Sequence, residues 1–146
     1  PRIRDFILEH HGTTITRYQY NRAKELSAVT GETFDIEDFR YPGPRPQSRE
    51  TALLMLADCT EAKARADLPK NETELREIVR KAVDFQLQQG QLNDTNLTFL
   101  DLNRTIDSFV FTLRNTYHPR LRYPETEKPA EPLALDAPPP QEEIGK

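Results

Sequence analysis

The sequence predicts an all-α fold, and three observations carry that reading: apolar residues recurring at helical spacing, polar capping signals ahead of them, and glycines just after them. Leu75, Ile78, Val79, Ala82 and Val83 form one stripe, and Leu102, Ile106, Phe109, Val110, Leu113 and Tyr117 form another. Such stripes are the core faces of amphipathic helices.

The elements follow in order. Pro1 suits the opening of a helix over about 2–10, whose apolar stripe is Ile3, Phe6 and Ile7, and Gly12 marks its end. Thr13 or Thr14 is expected to cap a second helix over about 15–29, closed by Gly31. From Thr33 to Gln47 the periodicity fails, and Pro42, Gly43, Pro44 and Pro46 exclude a regular element. Phe34, Phe39 and Tyr41 are placed to pin this long loop to the core, with Arg40, Arg45 and Arg49 clustered around it. Ser48 caps a third helix, which ends near 66–68 ahead of Pro69. Asn71 with Glu74 opens a fourth, ended by Gly90, and Thr98 with Asp101 opens the last.

Most of the twelve prolines lie beyond Tyr117. Few large apolar residues accompany them, so the stretch 125–146 is expected to be a disordered, proline-rich tail. The division is one domain over 1–124 plus that tail. A chain of 146 residues holds one modest core. Net charge of −4 argues against binding a nucleic acid polymer, which needs a basic face. The single cysteine, Cys59, excludes an internal disulfide and a cysteine-built zinc cage, which points to an intracellular protein. No apolar stretch approaches the roughly 20 residues that span a bilayer. The chain opens directly on helical sequence at Pro1, without a methionine, and reads as the C-terminal piece of something longer.

Two histidines and one aspartate are the candidate chemistry. Neighbouring side chains on a helix diverge by about 100°. His10 and His11 can therefore reach one ion only where a helix ends, as Gly12 indicates. Asp58 closes the apolar run 52–57, so it is expected to be largely withdrawn from water. A buried carboxylate needs a compensating cation or hydrogen-bond network. A divalent metal shared with the imidazoles is one solution; an ion pair with Arg65 at a helix edge is the other.

Linked motifs then narrow the choice. Glu9-His10-His11-Gly12-Thr13-Thr14, Asp38-Phe39-Arg40-Tyr41-Pro42-Gly43-Pro44 with Pro46-Gln47-Ser48, Met55-Leu56-Ala57-Asp58 with Glu61-Ala62, Gly90-Gln91-Leu92, and Tyr117-His118 with Arg120 and Tyr123-Pro124 closely resemble the HD-domain phosphohydrolases fused to seven transmembrane helices, the PgpH type. The resemblance covers the chain to about Pro124 and implies an N-terminally truncated HD-domain helical bundle. It implies hydrolysis of cyclic di-AMP at two divalent metal ions, manganese or iron, at the cytoplasmic face of the membrane. His10, His11 and Asp58 match metal ligands, and no catalytic residue beyond the ligands is implied. Arg40, Tyr41 and Arg65 are candidate substrate contacts, because guanidinium forks fit phosphate and a tyrosine ring can stack on a base. The family's first histidine, its adjacent His-Asp pair and a further histidine would all precede His10, so the chain alone is expected to be inactive. His118 belongs to a closing motif and does not replace them. A non-catalytic helical module binding a nucleotide or partner, and a hydrolase of another phosphate ester, are the alternatives.

Overall fold

In the computed structural model, which describes residues 2–117, the chain forms five α-helices: α1 (Arg2–Glu9), α2 (Arg17–Thr30), α3 (Arg49–Asp67), α4 (Glu72–Gln88) and α5 (Phe99–Tyr117). The predicted tail, His118 and Tyr123-Pro124 lie outside the described residues. Local signals set most of the boundaries. Ser48 accepts from the Thr51 N–H at the start of α3, Asn71 accepts from the Glu74 N–H at the start of α4, and Thr98 and Asp101 cap each other's N–H groups at α5. Gly31, at φ +75°, closes α2 by donating its N–H to the Ser27 carbonyl.

The core sits where α4 packs between α3 and α5. Leu56, Leu75, Val79, Val83, Ile106 and Val110 are buried there, as the two stripes predict. Cys59 packs half-buried on α3 as a small hydrophobe, and burial pushes its thiol up. The loop expected to be irregular contains one 3-10 turn, Ile36–Phe39, and Ile15 pairs with Arg40 in a single antiparallel bridge. Phe34 and Phe39 meet each other and Tyr20 edge-to-face, with centroids 5.4–5.9 Å apart, so the aromatic anchors do order the loop.

Two expectations fail. The Ile3 and Ile7 stripe is not core, since these residues are 79% and 66% exposed. Helical periodicity records that α1 is amphipathic, but among the described residues no element covers that face. The helix α2 starts at Arg17 rather than Ile15, and its N-cap residue, Thr16, makes no side-chain capping bond. Thr13 and Thr14 are occupied elsewhere, in the turn that carries the histidines.

Candidate metal centre

The site is built at the end of α1. His10 donates its Nδ1–H to the Phe6 and Ile7 carbonyls at 2.9 Å each. Carbonyls only accept, so Nδ1 carries a proton, and in the neutral ring that leaves Nε2 as the nitrogen with which this histidine can bind a metal. The chain then turns sharply, with the Gly12 N–H on the Glu9 carbonyl at 2.9 Å and the Thr14 hydroxyl on the His11 carbonyl at 2.8 Å. Leaving the helix is what lets the adjacent rings share one side of the turn, where their centroids are 4.0 Å apart. Gly12 adopts φ +53°, and a methyl there would run into the Gln91 amide and come within 2.6 Å of Met55 Cε.

The structure brings Asp58 to this turn from the middle of α3. Its Oδ2 lies 3.7 Å from His11 Nδ1, beyond hydrogen-bond range. That separation suits two ligands of one cation, each about 2.1 Å from it. Burial holds the His11 imidazole below its ordinary pKa, His10 adds to the effect and Asp58 opposes it, which favours the neutral ring that a metal requires. His11 and Asp58 therefore fit a divalent cation in chemistry and in spacing. With His10 they do not make a complete site, because no group of three or more His, Cys, Asp or Glu side chains able to hold a metal occurs among the described residues.

One expectation about Asp58 is corrected: its side chain is 51% exposed. The run that precedes it is apolar, but Leu53 and Leu54 are themselves 37% and 40% exposed, so apolar neighbours in sequence do not shield it. Nor does Asp58 pair with Arg65, which reaches Glu61 at 3.4 Å.

The candidate substrate contacts are placed unequally. Tyr41 stacks on His11, with centroids 4.4 Å apart and planes inclined by 28°. Arg40 lies behind the turn, donating to the Thr13 carbonyl at 3.2 Å and to Glu37 at 2.7 Å. Arg45 and Arg49 likewise pair with Asp94 and Asp101, at 2.9 and 2.6 Å, and tie the loop to the rest of the fold. Arg65 is exposed seven residues beyond Asp58, hence on the same face of α3. Sequence reasoning gave no role to Glu9 or Gln91, which are both buried against this turn. Glu9 opens the motif that holds the histidines and Gln91 lies in Gly90-Gln91-Leu92, the one mark that the sequence puts on either.

Relatives and solved structures agree on what this arrangement is similar to. The cyclic-di-AMP phosphodiesterase PgpH of Bacillus subtilis (strain 168) is 37% identical over 124 residues, and PgpH of Listeria monocytogenes 32% identical over 121 residues. The match takes in 85% and 83% of this chain but 17% and 16% of those proteins. The crystal structure of the L. monocytogenes PgpH HD domain superposes with a TM-score of 0.66 at 31% identity, covering 78% of this chain and 51% of the domain. The same domain in complex with cyclic-di-AMP gives 0.69 at 32%, covering 82% and 54%. The chain is a homologue of the PgpH HD domain.

No family model matches the chain. It spans about one sixth of the length of its PgpH relatives and about half of the solved HD domains. The all-α architecture and the expected PgpH kinship are therefore borne out. No helix among the described residues is long and apolar enough to cross a membrane.

Proposed function

We propose that this chain is part of a metal-dependent phosphodiesterase that hydrolyses cyclic di-AMP, with His10, His11 and Asp58 as its contribution to a two-cation centre of manganese or iron. The observation that carries this reading is the approach of Asp58 to His11, whose ring lies beside that of His10 at the end of α1. The likeness to an HD domain solved with cyclic-di-AMP supports the substrate. Divalent cations supply a Lewis acid for phosphoryl oxygens and a water that ionises near neutral pH.

The chain's own residues do the rest. His10 presents a fixed Nε2, Asp58 supplies negative charge to hold the cations, and Tyr41 offers a ring face beside the centre. The remaining ligands come from the part of the HD domain outside this chain, in a parent protein that works at the cytoplasmic face of the membrane. The exposed Ile3 and Ile7 of α1 are then the face that part covers.

The test compares the 146-residue chain with the parent protein. We expect the chain to bind Mn²⁺ weakly and to show no turnover of cyclic di-AMP, and the parent to hydrolyse it to the linear dinucleotide. His11→Ala or Asp58→Asn in the parent should lower kcat by at least a hundredfold with loss of bound metal. Full turnover by the isolated chain would refute the shared centre. A parent that binds cyclic di-AMP without hydrolysing it would favour the non-catalytic module, and preference for another phosphate ester would correct the substrate.

A further inference from the structure

We propose that Gln91 and Glu9 are positioning residues for His10 and His11, two buried polar clamps that lock the turn carrying the imidazoles onto the helices behind it. The inference rests on the metal-centre reading above, and its geometry comes from residues that the reading does not use.

Local contacts hold the rings to their own turn, His10 on the Phe6 and Ile7 carbonyls and His11 against Tyr41, so where the rings point depends on how firmly that turn sits on the helices behind it. Here both ends of the turn are held from outside. Gln91, 2% exposed, accepts at Oε1 from the Thr13 N–H at 3.0 Å and donates from Nε2 to the Thr13 hydroxyl at 3.0 Å and to the Gln89 carbonyl at 3.3 Å. The Thr13 N–H only donates and the Gln89 carbonyl only accepts, so the amide has a single satisfactory orientation. The close approach depends on Gly12, the one residue with no Cβ to strike the amide.

Glu9 secures the other end. Its carboxylate, on a side chain 7% exposed, accepts from the Gln47 N–H at 2.8 Å and from the Thr51 hydroxyl at 2.6 Å, at the start of α3. A buried carboxylate persists only where such bonds replace water. That helix carries Asp58, so Glu9 couples the histidine end of α1 to the aspartate it faces. The turn is thereby fixed between a clamp to α3 and a clamp to the turn after α4, and with it the backbone from which both imidazoles project.

The test uses the 146-residue chain and NMR of the histidine ring protons, with Mn²⁺ as the probe. In the wild type, Tyr41 stacked on His11 should displace the His11 ring signals upfield, and Mn²⁺ should broaden His10 and His11. Gln91→Met and Glu9→Met fill the same space without the bonds. Each should abolish the upfield displacement and raise the Mn²⁺ concentration for half-broadening about tenfold or more. Glu9→Gln keeps an acceptor oxygen for both partners and should restore both readings to within twofold. Thr13→Val, a milder change, should shift both in the same direction should Gln91→Met fail to fold. Val110→Ala, a core change remote from the turn, controls for lost stability and should move neither reading. The proposal is overturned if the Met variants keep the wild-type ring shift and Mn²⁺ response, or if Val110→Ala alters them equally. Should Mn²⁺ leave the wild-type histidines unbroadened, the metal-centre reading fails, and the ring shifts alone decide whether the clamps position His11.

Discussion

The two halves of the molecule are built differently. Helices α3, α4 and α5 bury Leu56, Val79, Val83, Ile106 and Val110 against one another, whereas α1 buries only Glu9 and α2 buries nothing. Apolar burial supplies the stability of the first half. The second half is attached by polar devices: Glu9 on α3, Gln91 on Thr13, and Arg17 stacked 4.4 Å over the Phe85 ring. The candidate centre lies on the seam, with its imidazoles from the weakly packed half and its carboxylate from the strongly packed one. The stable half serves as the scaffold, and the precision of the site depends on how firmly the other half is clamped to it.

That contrast is broken most directly by large-to-small substitution on each side. Leu56→Ala, at a fully buried position, should cost about 2–5 kcal/mol in urea or thermal unfolding followed by circular dichroism. Ile7→Ala, on the exposed face of α1, should stay within about 0.5 kcal/mol in the same chain. Equal losses would mean that α1 is integral to the core. In the parent protein, where a further part of the domain covers α1 on our proposal, Ile7→Ala should become clearly destabilising.

The seam itself gives the next largest effect. Gly12→Ala places a Cβ at φ +53° against the Gln91 amide and the Met55 methyl, so it should cost about 1–3 kcal/mol and weaken Mn²⁺ binding together. A loss of stability with unchanged Mn²⁺ affinity would separate the turn from the centre.

How much of this was legible in the sequence follows the same division. Ser48, Asn71 with Glu74, Thr98 with Asp101, and Gly31 act on backbone within a few residues, so their capping roles can be read from local order alone. The stripes of α4 and α5 were legible because each has a packed neighbour to bury it. The stripe of α1 reads the same way, yet periodicity says which face is apolar and not whether anything covers it. Asp58 follows an apolar run and is exposed for the same reason. His10, His11 and Asp58 stand out in the sequence as candidate ligands, and the fold brings His11 and Asp58 together; the clamps have no such mark. Gln91 acts across 78 residues and Glu9 across 42, and no local pattern marks a buried amide or carboxylate as a tether.

Proton competition sharpens the comparison at smaller magnitude. The His11 pKa is lowered in the fold, chiefly by burial, so the unfolded chain takes up that proton first as the pH falls below the ordinary value of 6.5. His11 therefore leaves stability unaffected above that pH and subtracts from it progressively as the pH falls toward its folded value. Mn²⁺ broadening of the His11 signal should persist below pH 6.5, to more acidic conditions than an unburied imidazole allows. His11→Gln should remove this contribution to acid destabilisation. A steeper acid loss in that variant would contradict the direction of the shift.

The smallest effect belongs to Arg65, which separates binding from structure. Its partner Glu61 is one turn away on the same exposed helix face, at 3.4 Å, so Arg65→Ala should change stability by about 0.5 kcal/mol or less. Mn²⁺ affinity should be unchanged, because Arg65 makes no bond to the clamped turn. If its guanidinium meets a phosphate of cyclic di-AMP, the same substitution in the parent should raise KM several-fold and leave bound metal intact. An unaltered KM would assign Arg65 to the solvated face of α3 and leave Tyr41, stacked on His11, as the better-placed substrate contact on this side of the centre.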